Sequence, residues 1–292
     1  MRARKVHRSR LPDLGSWDWA DRSRRPYVEG ETAWIPVKDG YPAGTALPER
    51  QPYGGRRYQR LGDTILLHGP RPASDELDRI LAWARPVAVI WVKGMAGPER
   101  IPETEVLYGS PGEVVLREHG CSFVLDPRLV MYARGNLKER GRMADAIARS
   151  GREERVADMF AGIGYFTVPM AVQGASVHAM EINPVAFGYL ARNVEGNRVE
   201  DRVIATPGNC RDLLSGSYTR VVMGHFDAIA YLPDALAHAR AGTVIHLHSL
   251  GAVEDRIMAA ASEAGFQARV TTRRVKKYAP NTWHMVQDVV LS

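Results

Sequence analysis

Residues 156–169 constrain the fold of this chain more than any other segment. The segment opens with an apolar run typical of a buried strand, and helical spacing begins at Phe166. Between these two parts, Gly162 and Gly164 allow a sharp turn, because glycine reaches backbone conformations that other residues avoid. A strand, a glycine turn and a helix in this order expose unpaired amides to a ligand, since the first amides of a helix lack partners within it.

An acidic residue follows this turn at a spacing that suits a nucleotide-type cofactor. Glu181 ends the next predicted strand, about 20 residues after the turn, where a carboxylate accepts the hydroxyls of a ribose. A glycine pair also occurs in ordinary tight turns, and the acid at the strand end argues against that alternative. A nicotinamide site usually has a third glycine where this chain has Thr167, because the helix must approach a pyrophosphate. S-adenosylmethionine carries no phosphate, so the pattern favours that cofactor.

Further predicted strands complete the sheet. Residues 202–206 form a predicted third strand that ends near Asn209, whose amide is a candidate partner for an adenine edge. Residues 220–225 form a predicted fourth strand, and the carboxyl ends of such parallel strands meet where open α/β sheets bind ligands. Two final strands, at residues 267–271 and 284–291, are typical of methyltransferases. We therefore predict an α/β fold: a class I S-adenosylmethionine-dependent methyltransferase-like, Rossmann-like sheet with a closing antiparallel strand.

Three regions of the chain differ in composition. Residues 1–57 are basic, contain several tryptophans and show no sustained helical or strand period. This N-terminal extension is either a module that touches RNA or a loop-rich extension whose tryptophans pack on the main body. Residues 58–128 predict a smaller α+β domain, in which Ser74 caps a helix and a turn at Gly120 joins two strands. Residues 129–292 form the predicted S-adenosylmethionine-binding catalytic domain.

Charge and cysteine content narrow the functional class. The 292 residues carry a formal net charge of +6, which suits a polyanionic partner such as nucleic acid. Two cysteines are too few for a disulfide framework, and this favours a reducing cytoplasm. No apolar run approaches the ~20 residues that span a bilayer, so we expect a cytoplasmic protein without a membrane segment or secretion signal. His246 and His248 have no acidic or thiolate cluster near them in sequence, so we predict no metal.

The catalytic half resembles a known family of tRNA-modifying enzymes. The family comprises the tRNA guanine-37 N1-methyltransferases and the wybutosine-synthesising aminocarboxypropyltransferases, and the likeness extends from about Gly62 to the C-terminus. Residues 223–226 stand where the methyltransferases usually have an Asn-Leu-Pro type motif. The chain is therefore more similar to the archaeal-type tRNA(Phe) (4-demethylwyosine(37)-C7) aminocarboxypropyltransferases. The segments that carry the resemblance are residues 132–140, 158–169, 181–184, 208–212, 245–248 and 274–280.

The resemblance implies a reaction and a set of cofactor contacts. The reaction is transfer of the 3-amino-3-carboxypropyl group from S-adenosylmethionine to C7 of 4-demethylwyosine at position 37 of tRNA(Phe), with release of methylthioadenosine. Ala133 and Asn209 stand where the family commonly has serine and aspartate. The hydroxyl missing at Ala133 removes one hydrogen bond, worth ~1 kcal/mol, so cofactor affinity is expected to fall. The implied cofactor-binding residues are Ala133, Arg140, Phe160, Gly162, Gly164, Glu181, Asn209 and Cys210.

Two residues are candidates for the chemistry itself. Arg140 has a planar donor fork, which helps to hold the amino-acid portion of the donor so that the aminocarboxypropyl carbon, not the methyl, faces the nucleophile. Its alternative role is a helix-surface ion pair with a neighbouring glutamate. His225 is expected to take the proton lost from C7, because a neutral imidazole titrates near the working pH. Its alternative role is to satisfy backbone groups at a strand end.

The expected partner is the anticodon arm of tRNA(Phe), and no obligate protein partner is evident from the sequence. Residues 273–277 are strongly basic and are predicted to lie between the last two strands, where Tyr278 or Trp283 is available to stack on a base. The alternative for this stretch is a solvated, charged turn. The candidate RNA-binding residues are Asn136, Arg273, Arg274, Lys276 and Lys277.

Two other functions remain open at this point. The first is methyl transfer to N1 of guanosine 37, which releases S-adenosylhomocysteine instead of methylthioadenosine. The second is a non-catalytic tRNA-binding module that has lost tight cofactor binding through the changes at Ala133 and Asn209. Identification of the product separates the first alternative from the predicted reaction, and calorimetry with S-adenosylmethionine tests the second.

Overall fold

The computed structural model describes residues 2–24, 26–46, 53–132 and 134–292. Contacts between Cα atoms divide the chain into two compact units, Met1–Gly55 and Arg56–Ser292. The domain boundaries expected after residues 57 and 128 stay predictions. None of the helices in the described ranges has the length and hydropathy that crossing a membrane requires.

The first unit is a small β-sheet. Its elements are β1 (Arg2–His7), a 3-10 helix (Arg8–Ser16), β2 (Tyr27–Glu29), β3 (Thr32–Pro36) and β4 (Thr45–Ala46). All its strand pairs are antiparallel, in the order β2-β3-β1-β4. Trp17 and Trp19 pack on its buried residues Ala20, Ala33 and Ile35. The absence of a sustained strand period in the sequence has a simple cause: Arg2, Arg4 and Lys5 make up half of β1 and conceal its alternation.

The second unit begins with a four-stranded sheet. Its elements are β5 (Gln59–Leu61), β6 (Thr64–His68), α1 (Ser74–Ala84), β7 (Ala88–Ala96) and β8 (Ile101–Gly109), and the strand order is β5-β6-β7-β8. Ser74 is the first residue of α1; the capping position is Ala73, whose side chain makes no cap. β8 was not predicted, because this edge strand carries Pro102, Glu103 and Glu105 in place of an apolar alternation.

A hairpin and a seven-stranded sheet follow. The hairpin consists of β9 (Val114–Glu118) and β10 (Cys121–Leu125), and Gly120 occupies its turn with a φ of 79°. The remaining strands are β11 (Arg155–Asp158), β12 (Ser176–Glu181), β13 (Val203–Pro207), β14 (Arg220–Met223), β15 (Val244–Leu250), β16 (Ala268–Ala279) and β17 (Thr282–Leu291). The helices are α2 (Leu137–Ala148), α3 (Thr167–Val172), α4 (Pro184–Gly196), α5 (Cys210–Leu213), α6 (Leu232–Ala237) and α7 (Glu254–Glu263), with 3-10 turns at Arg134–Asn136 and Ala228–Tyr231.

The order of the large sheet is β13-β12-β11-β14-β15-β17-β16. The strands from β13 to β15 are parallel, and β17 is antiparallel to β15 and β16. Successive strand residues face opposite sides, so Val156 packs in one core with Met143 and Leu190, whereas Ala157 packs in another with Ile257. The predicted α/β class and its closing antiparallel strand are therefore confirmed.

The basic stretch at residues 273–277 does not lie between the last two strands. It belongs to β16, which continues to Ala279. This correction has a simple cause: β16 is an edge strand, and charged side chains on an edge discourage further pairing, so it lacks an apolar pattern. The pairing with β17 shifts between Arg274 and Lys276, which leaves Val275 as an extra residue and brings Lys276 opposite His284.

Candidate active site

A cavity of about 330 Å³ opens at the carboxyl ends of the parallel strands. Phe160 follows β11, Glu181 ends β12, Gly208 follows β13 and Gly224 follows β14, and all four residues line the cavity. The cavity thus lies where the strand order reverses between β11 and β14, the usual ligand position in open α/β sheets. The predicted convergence of four strand ends is present.

Three glycines around the cavity are favoured at their positions for different structural reasons. Gly162 and Gly164 adopt φ values of 57° and 97°, which side chains disfavour. A Cβ atom at Gly164 would lie only 3.0 Å from Leu190 Cδ1, whereas one at Gly162 would meet nothing within 4 Å. A Cβ atom at Gly224 would lie 3.2 Å from Phe166 Cε2. Gly164 therefore serves packing, Gly162 leaves free space on the cavity side, and Gly224 lets the Phe166 ring approach the strand end.

Glu181 is buried and held by backbone amides. Its Oε2 accepts the amide of Gly162 at 2.6 Å, and its Oε1 accepts the amide of Asn183 at 2.8 Å. Burial raises the pKa of the Glu181 carboxyl, although these backbone hydrogen bonds oppose the shift. A carboxylate has about four acceptor positions. Two acceptor positions are therefore left for the hydroxyls of a ribose.

Arg140 lies inside the molecule and not on a helix surface. Its side chain is 2% exposed, and its Nη1 donates to Glu118 Oε2 at 2.5 Å. Its Cζ lies 3.6 Å from the ring centroid of Tyr165, and the Tyr132 hydroxyl donates to the same glutamate at 2.9 Å. Arg140 lines the cavity as an already compensated cation. A guanidinium has five donors, so the bond to Glu118 does not exhaust its capacity to bind a ligand oxygen.

Two polar atoms in the cavity wall, apart from guanidinium nitrogens, lack hydrogen-bond partners among the described residues. They are Asn136 Oδ1 and the hydroxyl of Tyr165, and both atoms are buried. Burial also raises the pKa of Tyr165 well above its usual range, so the hydroxyl remains protonated. Buried polar groups are normally satisfied, because an unsatisfied one costs ~1–3 kcal/mol. These atoms therefore fit a polar ligand group at the end of the cavity near Arg140.

Asn209 and Cys210 line the cavity at the start of α5. The Asn209 Oδ1 caps this helix by accepting the amide of Arg211 at 3.1 Å. Its Nδ2 is thus the atom left for an adenine edge. Burial raises the pKa of the Cys210 thiol to about 11, so the thiol stays neutral and acts as an apolar wall.

His225 lies in the cavity wall with its ring stacked on Phe160 at a centroid distance of 5.3 Å. Its Nδ1 accepts the amide of Asp227 at 3.2 Å, which requires that Nδ1 carry no proton. Burial lowers the pKa of His225, so the ring is neutral near pH 7 and its proton is at Nε2. The lone pair at Nδ1 accepts the Asp227 amide, so the other ring nitrogen, Nε2, is available as a hydrogen-bond donor.

The candidate RNA-binding residues other than Asn136 lie outside the cavity wall. Arg273 pairs with Asp288 at 3.1 Å, and Arg274 covers the ring of Trp283 with its Cζ 5.2 Å from the centroid. Lys276 lies against Gly135, where a Cβ atom would be 2.3 Å from the lysine Cδ. Lys277 is exposed on β16.

Sequence reasoning missed the turn between β7 and β8. Residues 97–100 line the cavity, and Asn183 Nδ2 donates to the carbonyl of Glu99 at 3.2 Å. Arg100 adopts a φ of 55°, rare for a residue with a side chain. The Gly97-Pro98 pair indicates a turn. Because β8 was not recognised, nothing in the sequence indicated that this turn lies at the cavity.

The structure brings most of the predicted residues together. Ala133 lies outside the described residues. Gly164 serves the packing of the turn against Leu190 and is not among the residues that line the cavity. The predicted residues that line the cavity are Asn136, Arg140, Phe160, Gly162, Glu181, Asn209, Cys210 and His225.

Comparison with known proteins identifies the family. Residues 114–277, more than half of the chain, match the family model of the TRM5/TYW2 methyltransferase domain. The chain belongs to this family. A tRNA(Phe) (4-demethylwyosine(37)-C(7)) aminocarboxypropyltransferase of Methanocaldococcus jannaschii is 34% identical to this TRM5/TYW2 member over 247 residues, which are 80% of this chain and 97% of the relative. The enzyme of the same name from Pyrococcus horikoshii is 34% identical over 80% of this chain and 88% of its own.

Solved structures agree with the assignment to the TRM5/TYW2 family. P. horikoshii TYW2 in complex with MeSAdo has a TM-score of 0.68 and 30% identity, covering 81% of this chain and 91% of that protein. Trm5b from Pyrococcus abyssi has a TM-score of 0.72 and 26% identity, covering 99% of both chains. The resemblance and the methyltransferase-like fold predicted from the sequence are both confirmed.

Proposed function

We propose that this chain transfers the 3-amino-3-carboxypropyl group from S-adenosylmethionine to C7 of 4-demethylwyosine at position 37 of tRNA(Phe), releasing methylthioadenosine. The proposal rests on the cavity, whose wall contains a ribose-type carboxylate at Glu181 and unsatisfied polar atoms at Asn136 and Tyr165. The named activity of relatives at 34% identity, one of them matched over 97% of its length, supports the same reaction.

The residues present fit an S-adenosylmethionine donor. Glu181 has acceptor positions for the ribose, and Asn209 Nδ2 is available to the adenine. Asn136 Oδ1 would accept a hydrogen bond from the donor's ammonium, and the Tyr165 hydroxyl would be available to the donor's amino-acid portion. When bound, the donor supplies an electrophilic carbon attached to a positively charged sulfur.

The chain's own residues decide which carbon of the sulfonium reacts. A displacement requires the nucleophile ~3–3.5 Å from the carbon and in line with the leaving sulfur. Arg140, Asn136 and Tyr165 would hold the amino-acid portion of the donor, and Glu181 would hold its ribose. With both portions held, the first carbon of the aminocarboxypropyl chain, and not the methyl, would be available to the acceptor base.

We assign His225 a different role from proton acceptor. Its Nδ1 is engaged by the Asp227 amide, so the neutral ring offers an Nε2–H. His225 therefore donates a hydrogen bond to an acceptor atom of the target base, and its stacking on Phe160 holds the ring in that orientation. The sulfur leaves as methylthioadenosine with the electron pair of its bond to the transferred carbon, and the proton displaced from C7 passes to solvent water at the mouth of the cavity.

The proposed partner is the anticodon arm of tRNA(Phe), in the cytoplasm. The net charge of +6 suits a polyanion. Position 37 lies in a single-stranded loop, so presenting its base to the cavity costs less than extruding a base from a duplex.

One experiment tests the reaction directly. The full chain is incubated with S-adenosylmethionine and tRNA(Phe) that carries either 4-demethylwyosine or unmodified guanosine at position 37. We expect methylthioadenosine and a mass increase of the aminocarboxypropyl group on the first substrate only. Release of S-adenosylhomocysteine with methylated guanosine would favour the second candidate, N1-methyl transfer, which the full-length match to Trm5b suggests. No product and no donor binding would leave only a tRNA-binding role.

A further inference from the structure

Arg100 is a cavity residue with an unusual backbone. It lies in the turn between β7 and β8, half-buried, and lines the cavity. Its φ of 55° falls in the left-handed region, which a residue with a side chain rarely adopts. Strained backbone of this kind persists where the surrounding structure enforces it, often at functional sites.

The guanidinium of Arg100 has no anionic partner among the described residues. Its Cζ lies 6.0 Å from the ring centroid of Phe226, and its Nη2 lies 3.9 Å from the sulfur of Met131. Its Nε is buried without a hydrogen-bond partner. Arg140 differs, because Glu118 already compensates its charge. A partly buried cation without an anionic partner is costly, so an anionic group is the natural complement of Arg100.

We propose that Arg100 binds the α-carboxylate of the donor's transferred group, an assignment that rests on the proposed function. The carboxylate is the single anionic group of S-adenosylmethionine, and the planar fork of a guanidinium matches it. Asn136 Oδ1, as an acceptor, suits the α-ammonium. The two charged groups of the amino-acid portion thus go to different residues.

The turn that carries Arg100 is tied to the ribose end of the site. Asn183 donates its backbone amide to Glu181 Oε1 at 2.8 Å and its side-chain amide to the Glu99 carbonyl at 3.2 Å. Asn183 is 3% exposed, so this connection is internal. The backbone of the turn at Glu99, next to Arg100, is therefore held at a defined position relative to the ribose carboxylate.

Binding measurements on the full chain test this proposal without RNA. The donors are S-adenosylmethionine and its decarboxylated form, which lacks the α-carboxylate. Arg100→Met is expected to weaken S-adenosylmethionine binding ~10- to 100-fold, the range for loss of a charge-assisted hydrogen bond. Binding of the decarboxylated donor is expected to stay within about twofold. Arg100→Lys keeps the charge but not the fork, so an intermediate loss is expected.

Arg79→Met is the matched control, because Arg79 is an exposed arginine of the same sheet-and-helix region that pairs with Asp75. Equal weakening of both donors by Arg100→Met would mean a structural role for the turn and overturn the proposal. Unchanged donor binding with weaker tRNA binding would mean a phosphate contact and also overturn it. A parent chain that binds neither donor would contradict the proposed function, and this inference with it.

Discussion

Each of the two compact units places an arginine beside an aromatic ring, but the two arginines differ in their electrostatic surroundings. In the second unit, Arg140 is buried, pairs with Glu118 and lies 3.6 Å from the ring centroid of Tyr165 inside the cavity. In the first unit, Arg4 covers Trp19 at 4.6 Å and donates to the carbonyl of Pro42, without an acidic partner among the described residues. A compensated cation suits a small zwitterionic donor, whereas uncompensated surface cations beside aromatic rings suit RNA.

The share of the chain that the archaeal relatives match is similar to the share that belongs to the second unit. The archaeal aminocarboxypropyltransferases match 80% of this chain, which leaves a share close to the length of Met1–Gly55. Trm5b of P. abyssi covers 99%. Every residue that lines the cavity belongs to the second unit, so the first unit is not needed to build the donor site. We therefore expect the donor to bind to the second unit and the first unit to contribute to binding of a polyanion. Four predictions test this division.

The largest effect is expected at Glu181. Glu181→Ala removes the ribose acceptor and the partner of the Gly162 and Asn183 amides, so donor affinity is expected to fall by ~100-fold or more, about 3 kcal/mol. Binding of tRNA without the donor is expected to be unchanged. Isothermal titration calorimetry with each ligand measures both effects.

Glu181→Gln keeps one acceptor oxygen and is expected to lose about tenfold in donor affinity. Glu195→Ala, an exposed acid on α4, is the control that should change neither ligand. An equal loss of tRNA affinity in Glu181→Ala would contradict the assignment of donor binding and tRNA binding to different units.

The second prediction concerns pH and Asp158, at the end of β11. Burial raises the pKa of this carboxyl to about 6, while the Thr167 hydroxyl that donates to it opposes the shift. A raised folded pKa gives stability that is complete below the unfolded pKa of about 4 and is lost as pH rises through about 6. Asp158→Asn stays neutral, so its stability relative to the parent should be about 2 kcal/mol greater at pH 7 than at pH 4.

Urea unfolding at the two pH values measures this difference, and hydrogen exchange assigns it to a unit. Residues 2–46 should show no change in protection. Asp145→Asn, at an exposed position on α2, is the control. A stability difference that is the same at both pH values would show that Asp158 is ionised at neither or at both.

The third prediction addresses the first unit. Arg2 and Arg4 donate to the carbonyls of Tyr41 and Pro42 and form no ion pair among the described residues. Replacing both with serine is expected to weaken tRNA binding about fivefold and to lower the salt dependence by about one counterion for each phosphate that is no longer neutralised. Donor affinity should not change.

The control is the pair Arg79→Ser and Arg149→Ser, which removes two exposed arginines of the second unit that already have acidic partners. Filter binding at several salt concentrations gives the slopes. If the control pair lowers the slope as much, the first unit has no special part in binding RNA.

The smallest effect is expected at Gly135. A Cβ atom there would lie 2.3 Å from Lys276 Cδ, so Gly135→Ala must displace this flexible side chain. We expect a loss of stability below about 1 kcal/mol and a loss of tRNA affinity of about twofold. Gly44→Ala in the first unit, where a Cβ atom meets nothing within 4 Å, is the control. A larger loss of tRNA affinity for Gly44→Ala than for Gly135→Ala would contradict this prediction.

Sequence reasoning recovered the parts of this fold whose pattern is local. The buried parallel strands read as apolar runs, and Gly162, Gly164 and Glu181 mark the donor site through spacing alone. Two of the parts that were missed are edge strands: β8 and the far end of β16 carry polar side chains in place of an apolar pattern. The Glu118 partner of Arg140 and the cavity position of Arg100 depend on tertiary contacts, which no local pattern encodes.

Gly224 limits how this site can change over evolutionary time. Any residue with a Cβ atom at position 224 must move the ring of Phe166, which touches His248 on the neighbouring strand β15. A larger side chain at position 224 is therefore accommodated only if the Phe166 ring shifts or if position 166 carries a smaller residue. The residues at positions 224 and 166 are thus expected to change together.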